Sequence, residues 1–461
     1  MNNTTSHNNR SRGIKWGPFT LRIPFIHIRF RSSEFFQGLV ISGATAFAAA
    51  PLAMQLGLTF DEAVALSFIA GSLISAGPII FGEPMAAGWV TPAVPIVFFI
   101  ALADAGLFGV NCQGDLCAYN PESFKFLAAM CIEFTLLVLI LGITGLGKKL
   151  VDLIPRGLKS GIILGAALAA FYQVFFKDFD NYLSQPVSMT VAIVLCVITT
   201  FSIPFKKIAQ RNKFFNLLGS LGLLPGFLIA AVIAFLLNEV TFNIEWGFQI
   251  PAIMSLIEKT SPLYIGFPNL DMYINAIPVV LIGYMLLFGD LVTGTEVLKD
   301  AQKQRSDEQL PIDLNRSHLS VGIRNFLGAL INPFFPTQGA LWTGVHVVVA
   351  ERWKQGRQAM PSIFDGIGSY YLMGIPFLYF FLPFVTLMEP LIDMALTLTL
   401  ILTGFACAYI AMSIPKNNSE MSTALIIATF ITFSPGEYMW VSLLIGIMLS
   451  LLVDGYEKEN P

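Results

Sequence analysis

Charged side chains are scarce in this chain. Asp, Glu, Lys and Arg together make up 12% of its 461 residues, whereas hydrophobic residues make up 55%. Soluble domains carry about twice that charged fraction. A water-soluble fold cannot bury so much apolar surface, but a lipid bilayer can cover it. The composition predicts a protein that crosses the bilayer many times, with lipid as a partner and no nucleic acid.

Residues that carry catalysis or bind metals are also few. The four histidines do not cluster, and the chain has no His-Glu-x-x-His pattern, nucleophile elbow or P-loop. We therefore expect no enzyme activity, no metal, no cofactor and no transport driven by nucleotide hydrolysis in this chain. Among the five cysteines, Cys112 and Cys117 share a polar loop, where a disulfide can form if the loop faces an oxidising compartment.

Long apolar runs fill most of the chain. A helix needs roughly 20 apolar residues to cross the hydrocarbon core of a membrane. By that measure the sequence predicts about fourteen spans, near residues 35–57, 60–81, 88–108, 123–147, 153–175, 186–203, 216–237, 273–298, 318–334, 338–351, 363–384, 386–413, 421–434 and 438–454.

The basic residues give an orientation to these spans. If the N-terminus is cytoplasmic and fourteen spans alternate, 23 of the 27 basic residues fall on the cytoplasmic side. This is the bias that the positive-inside rule describes. The arm before the first span lacks the early apolar stretch and cleavage site of a secretory signal, so we expect it to be retained. The sequence predicts a multi-pass plasma (inner) membrane protein with both termini in the cytoplasm.

Seven plus seven spans predict two halves of inverted topology. The third span of each half supports this prediction, because residues 82–92 and 332–342 are both rich in Pro and Gly before a helical run begins. Such paired segments are typical of half-helices that start in the middle of the membrane. The alternative is that both are Pro-kinked connecting loops. The predicted organisation is a cytoplasmic arm, a first repeat, an external connection, a second repeat and a cytoplasmic tail, at residues 1–34, 35–237, 238–272, 273–454 and 455–461.

These features resemble the transporter superfamily of uracil, xanthine and ascorbate permeases, which shares its fold with sulfate permeases and bicarbonate exchangers. The first span, Gly43–Pro51, is similar to the nucleobase family's first-helix pattern, and Leu286–Asp290 is similar to its Glu-x-x-Gly-Asp. The resemblance implies an all-α fold in which a core bundle rocks against a gate bundle made of spans five to seven of each half. It also implies that a homodimer can form through the gate.

The chain departs from this pattern at two acids. The family's glutamates in the eighth and tenth spans fall on Leu286 and near Trp342 here. Those acids bind nucleobases and take part in proton coupling in the family. Nucleobase specificity therefore does not follow from the resemblance, and neither does membership of one branch.

Ionisable groups inside spans are costly, so each is a candidate for function. Asp290, Glu296 and Arg324 are candidates for coupling to protons or sodium, and each also has a structural reading as an ion pair or a solvated group. Polar and aromatic residues near the half-helices are candidates for substrate binding. The candidate substrate-binding residues are Thr45, Thr91, Asp290, Thr337, Gln338 and Trp342.

Together these patterns predict a secondary active transporter, or permease, of a small polar solute that is anionic or a planar heterocycle. The alternative is an uncoupled anion exchanger or channel of the same fold. Glu83 and Glu133 are further acids near the third and fourth spans, for which capping or structural pairing is the preferred interpretation.

Overall fold

A computed structural model describes residues 13–36, 38, 47–113, 116–152, 154–220, 224–373, 378–433 and 439–454. Within these ranges the regular structure is helical, apart from a hairpin of strands Ile14–Trp16 and Phe19–Leu21 and a few isolated bridges. The predicted all-α membrane fold is thereby confirmed. Thr45, residues 37 and 39–46 of the predicted first span, and the tail 455–461 lie outside the described residues.

Five of the described helices are long and apolar enough to cross a membrane: Phe60–Phe81, Pro121–Thr144, Arg156–Lys177, Leu270–Gln304 and Leu382–Ser413. A sixth candidate is the pair Pro186–Phe201 and Ile203–Ala209, which is bent by 64°. The count of fourteen spans stays a prediction. The remaining helices are shorter: Ala50–Gln55, Thr91–Leu102, Gly147–Asp152, Phe179–Ser184, Lys213–Ser220, Leu224–Leu236, Ile253–Thr260, Pro262–Ile265, Leu314–Ile331, Thr343–Lys354, Ile363–Met373, Asn418–Phe433, Met439–Leu449 and Ser450–Asp454.

Polar residues define where several of these helices begin. Thr59 and Glu62 form a capping box, in which the Thr59 hydroxyl accepts from the Glu62 amide and the Glu62 carboxylate accepts from the Thr59 amide. Asn269 caps the long helix by accepting a 2.9 Å hydrogen bond from the Met272 amide. These caps satisfy amides that have no partner within their own helix.

The helices pack into two bundles. The core bundle contains Phe60–Phe81, Pro121–Thr144, Leu270–Gln304, Leu314–Ile331, Thr343–Lys354 and Ile363–Met373. The gate bundle contains Arg156–Lys177, Pro186–Phe201, Leu224–Leu236, Ile392–Ser413, Asn418–Phe433 and Met439–Leu449. Helix Thr91–Leu102 lies between them, because it contacts both Leu270–Gln304 and Arg156–Tyr172.

Small residues bring the gate helices close together. A Cβ on Gly161 would lie 2.7 Å from the Cβ of Ile427, and one on Gly165 would lie 3.1 Å from Cγ2 of Ile431. The spacing from Gly161 to Gly165 places both on one face of helix Arg156–Tyr172. Small residues at this spacing let membrane helices approach closely and gain van der Waals contact.

One end of the core bundle is tied together by polar contacts. Glu62 forms an ion pair with Lys259 at 2.7 Å and accepts a 2.6 Å hydrogen bond from Ser255. Cys112 and Cys117 form a disulfide in a nearby loop, which the Cys117 amide fastens to the carbonyl of Met54 at 3.1 Å. Both features belong to the end that the sequence predicts to be external.

Candidate functional site at the crossing of two extended segments

Two extended segments, residues 84–90 and 332–342, cross inside the core bundle, and together they are called the crossing below. They run antiparallel and are paired through their backbones. Three hydrogen bonds join them: the amide of Val90 to the carbonyl of Pro336 at 3.0 Å, that of Gly339 to Gly88 at 2.7 Å, and that of Trp342 to Ala86 at 2.6 Å. Because buried backbone groups need partners, this pairing lets non-helical chain exist deep in a membrane protein.

A half-helix begins on each side of the crossing. The first half-helix, Thr91–Leu102, follows Val90, and the second half-helix, Thr343–Lys354, follows Trp342. Neither Val90 nor Trp342 caps its helix with a side-chain hydrogen bond. The first-turn amides of a helix carry partial positive charge. The two helix starts therefore place electropositive backbone beside the crossing, in the arrangement that the Pro- and Gly-rich segments predict.

Asp290 lies in the middle of the long helix Leu270–Gln304, where it is half-buried. Among the described residues, its carboxylate has no hydrogen-bond or ion-pair partner. The long helix contacts the short turn Thr91–Ala93, and that turn also contacts helix Ile392–Ser413 of the gate bundle. Cys407 on that gate helix lies within range of the charge of Asp290. The acid therefore lies where core bundle, gate bundle and the start of the first half-helix meet.

One turn beyond Asp290, at Gly294, the long helix is fixed to the crossing by His346 of the second half-helix. Nδ1 of His346 accepts from the amide of Ala86 at 3.3 Å, and its Nε2–H donates to the carbonyl of Gly294 at 3.1 Å. These two bonds require the neutral tautomer with the proton on Nε2. A side chain on Gly294 would meet Met85 at 2.7 Å, so the helix and the crossing touch here. The position of Asp290 relative to the crossing is thereby set.

Arg324 does not pair with Asp290. Its guanidinium is buried and donates to the carbonyl of Gly339 at 2.8 Å and to Oε1 of Gln338 at 3.3 Å. The side-chain Nε2 of Gln338 donates in turn to the carbonyl of Ala70 at 3.2 Å. Arg324 and Gln338 thus hold the second extended segment against the core bundle.

The other candidate residues have different surroundings. Thr91 and Trp342 are partly exposed at the starts of the two half-helices. Thr337 is buried within the core bundle, where its hydroxyl accepts from Gln338 at 3.5 Å. Glu296 is exposed and forms an ion pair with Lys299 at 2.8 Å, so it is solvated rather than enclosed.

Sequence reasoning missed two tyrosines beside the second half-helix. The ring of Trp342 packs edge-on against Tyr370 and Tyr371, with centroids 6.2 and 6.5 Å apart. The Tyr371 hydroxyl donates to the carbonyl of Ala87, whereas the hydroxyl of Tyr370 is buried without a hydrogen-bond partner among the described residues. The only signal for them in the sequence was a pair of hydroxyl-bearing residues inside an apolar run.

The remaining acids near the crossing have separate surroundings. Glu83 is buried in an ion pair with Arg316 at 2.8 Å and accepts a hydrogen bond from Ser317. Glu133 is half-buried, and one of its carboxylate oxygens has no hydrogen-bond partner in the described part of the chain. No group of three or more His, Cys, Asp and Glu within the described ranges could hold a metal ion.

Comparison with known proteins gives a matching family and a similar solved structure. A family model of xanthine and uracil permeases, described as "Permease family", matches residues 87–339, which is more than half of the chain. Among solved structures, the transmembrane domain of a cyanobacterium bicarbonate transporter, BicA, is similar with a TM-score of 0.47 and 14% identity. That match covers 91% of this chain and 96% of the other. No curated protein sequence matches this chain.

Proposed function

We propose that this chain, which belongs to the xanthine/uracil permease family, is a secondary active transporter of a small polar solute. Its membership of that family, stated above as a resemblance, makes it a membrane transporter. What the proposal adds is the mode of transport, the place of the binding site and the chemistry of the solute.

One observation carries the proposal: Asp290, a carboxylate without a partner among the described residues, lies near the start of the first half-helix and one turn from the contact between the long helix and His346. An unpaired acid in a membrane span is costly and persists where it has a task. Here it has access to the junction between the core bundle and the gate bundle. A group at such a junction can face a solute in one arrangement of the bundles and be covered in the other.

The surroundings favour a solute with both hydrogen-bond acceptors and donors. The first-turn amides of the half-helices suit a carbonyl oxygen or an anionic group. The Asp290 carboxylate suits an N–H group, a proton or a sodium ion. Trp342 is partly exposed beside the second helix start and packs on the buried rings of Tyr370 and Tyr371, and its indole ring suits a planar solute. A planar heterocycle with carbonyl and N–H groups combines all three features, and a small anion taken up with a cation uses the first two.

Transport is proposed to proceed by rocking of the core bundle against the gate bundle. The crossing, both extended segments and Asp290 belong to the core bundle or its edge, and they are held together by Arg324 and His346. The solute site can therefore move as one body relative to the gate helices, which pack among themselves through Gly161 and Gly165. The membrane is proposed to be the plasma (inner) membrane, with both termini in the cytoplasm.

The test is uptake by the purified full chain in proteoliposomes. A thermal-shift screen of nucleobases, sulfate, bicarbonate and small carboxylates would first identify a solute, because a ligand that binds the native state raises the melting temperature. The proposal predicts that this solute accumulates above its external concentration when an inward proton or sodium gradient is imposed, and that an ionophore abolishes the accumulation. Equilibration without accumulation would instead support the uncoupled exchanger or channel.

A further inference from the structure

The N-terminal arm, residues 13–34, is docked on one end of the core bundle. Its hairpin packs on the last turn of helix Phe60–Phe81, where the ring of Phe19 lies 4.9 Å from that of Phe81. The amide of Arg22 donates to the carbonyl of Ile79 at 2.7 Å. This is the end opposite to Glu62, Lys259 and the disulfide loop.

Polar contacts continue along the arm. The amide of Arg29 donates to Asp365 at 2.7 Å, and the amide of Arg31 donates to the hydroxyl of Ser369 at 2.9 Å. The arm then ends at Glu34, which forms a 2.9 Å ion pair with Arg352 at the end of the second half-helix. These contacts join the arm to three helices of the core bundle, so its position relative to that bundle is fixed.

The arm also carries large apolar side chains that the described residues leave more than two fifths exposed. Phe25 is 70% exposed and Ile26 is 60% exposed, at the tip of the turn between Pro24 and Ile28. Trp16 and Phe30 are also exposed. Leaving four such side chains in water would be unfavourable, because each exposes apolar surface that burial would remove from water.

The hydrogen bond of Trp16 indicates what surrounds the exposed side chains of the arm. Its indole N–H donates to the carbonyl of Ile80 at 2.9 Å. Ile80 belongs to an apolar helix long enough to span the membrane, and its own side chain is exposed, as expected of a side chain that faces lipid. The exposed face of the arm therefore adjoins the lipid-facing side of a span, at its end. Tryptophan is enriched at this level, where its ring lies among the headgroups.

The charge of the arm suits the same surroundings. Six basic residues and no acidic residue precede Glu34 in the sequence. Arg22 is buried, with its guanidinium 3.4 Å above the ring of Phe364, but Lys15 and Arg29 are exposed. Basic residues combined with exposed apolar and aromatic side chains are typical of segments that lie in the membrane interface and bind anionic lipids.

We propose that the arm is a membrane-interface element that binds anionic phospholipid headgroups. Phe25 and Ile26 lie among the upper acyl chains, Trp16 lies at the level of the headgroups, and Lys15 with its basic neighbours contacts the headgroups. Since the other face of the arm is fastened to the core bundle, the lipid is coupled to the bundle that also holds the crossing. This proposal does not depend on the solute or on Asp290.

The depth of the arm can be measured by spin labelling of the full chain in nanodiscs of phosphatidylcholine and phosphatidylglycerol. A nitroxide attached to Ile26→Cys is expected to collide more with oxygen, which concentrates in lipid, than with a water-soluble nickel chelate. The matched control is a label on Lys303→Cys, because Lys303 is 76% exposed on a helix end and should show the reverse preference. The chain's own cysteines do not compete, because Cys131, Cys196 and Cys407 are buried and the other two form the disulfide.

Two outcomes of the labelling would overturn the proposal. One is a label at position 26 that is as accessible to the nickel chelate as the label at position 303. The other is a label shielded from both reagents with spin–spin broadening, which would assign the apolar face to a second copy of the chain.

The lipid charge is tested separately by thermal unfolding in two kinds of nanodisc. The wild-type chain is expected to melt at a higher temperature in phosphatidylglycerol-containing discs than in pure phosphatidylcholine discs, and high salt should reduce the difference. Lys15→Gln should shrink the difference, whereas Lys303→Gln should leave it unchanged. Equal melting temperatures of the wild type in both discs, or equal effects of the two substitutions, would overturn headgroup binding by the arm.

Discussion

The backbone amide of Trp342 donates a 2.6 Å hydrogen bond to the carbonyl of Ala86. This bond joins the two halves of the chain at the point where the second half-helix begins. It is the last of the three bonds that pair the extended segments, and it places the Trp342 ring at the helix start. The geometry of the crossing therefore determines where the half-helices point.

Substitution of Gly339 by Ala should disrupt the crossing. The added Cβ would lie 2.8 Å from the carbonyl oxygen of Gly88 and 2.9 Å from the carbonyl carbon of Trp89, and backbone atoms cannot move aside as a flexible side chain can. Overpacking of this kind costs about 1–3 kcal/mol. We expect Gly339→Ala to lower the melting temperature of the purified protein and to impair transport.

The matched control for this prediction is Gly289→Ala on the long helix. A Cβ at Gly289 meets no atom within 4 Å. Alanine in a helix interior is favoured over glycine by roughly 0.5–1 kcal/mol, so the melting temperature should stay the same or rise slightly. Equal melting temperatures for the two variants would show that the close approach at Gly339 is not required.

Removal of the arginine from the buried pair of Glu83 and Arg316 should be strongly destabilising. Arg316→Ala leaves a carboxylate buried without its partner, which costs about 3–5 kcal/mol. The control is Lys299→Ala, which breaks the exposed pair with Glu296 and should have no measurable effect on the unfolding midpoint. The double change Glu83→Gln with Arg316→Met should recover part of the loss, and a failure to separate Arg316→Ala from the control would contradict a stabilising role of the pair.

Glu239 should make stability depend on pH. Partial burial raises the pKa of Glu239, but hydrogen bonds from Ser188 and from the amides of Val187 and Ser188 outweigh it, so the net pKa lies below its ordinary value. The carboxylate thus caps helix Pro186–Phe201, whose N-cap residue supplies no side-chain bond. Because the pKa of Glu239 is lower in the folded than in the unfolded state, its ionised carboxylate stabilises the fold at pH values above the unfolded pKa of about 4.3. This stabilisation is lost as the pH falls below that value and the carboxylate becomes protonated.

The measurement for Glu239 is the melting temperature of the wild type and of Glu239→Gln across a range of pH. Glu239→Gln should melt at a lower temperature than the wild type near neutral pH. The two curves should converge as the pH falls below about 4. A difference that stays constant over the whole range would mean that the ionised carboxylate is not responsible.

The predicted orientation can be tested through the disulfide. Cys112 and Cys117 should react with an impermeant thiol reagent on intact cells only after treatment with an impermeant reductant. A cysteine introduced at Lys303 should react only after lysis, because it belongs to the end that is predicted to be cytoplasmic. Labelling of position 303 on intact cells would invert the orientation.

Hydropathy and turn chemistry were sufficient to predict the fold class and the two half-helices. Proline and glycine interrupt the third span of each half, which predicts an extended segment followed by a helix. The backbone pairing of the two extended segments was not predicted. Boundaries were less predictable. The helix Leu270–Gln304 extends past the predicted span 273–298. Hydropathy marks only the end of the apolar run, and the helix continues beyond that point through polar residues.

Side-chain directions within the bundles could not be predicted. Arg324 and Asp290 both lie in predicted spans, and hydropathy does not say whether such residues face each other. In the structure, Arg324 donates to the carbonyl of Gly339. Asp290 instead lies near Cys407 of the gate bundle. His346 joins three segments of the chain, and nothing in its local sequence indicates those distant partners.

The central claim is that Asp290 couples solute movement to an ion gradient, and Asp290→Asn tests it most directly. The substitution keeps the size of the side chain and removes its charge. In proteoliposomes we expect the variant to lose gradient-driven accumulation of the solute while it still exchanges labelled for unlabelled solute, and Glu296→Gln to behave as the wild type. Gradient-driven accumulation by Asp290→Asn at the wild-type level would contradict the account.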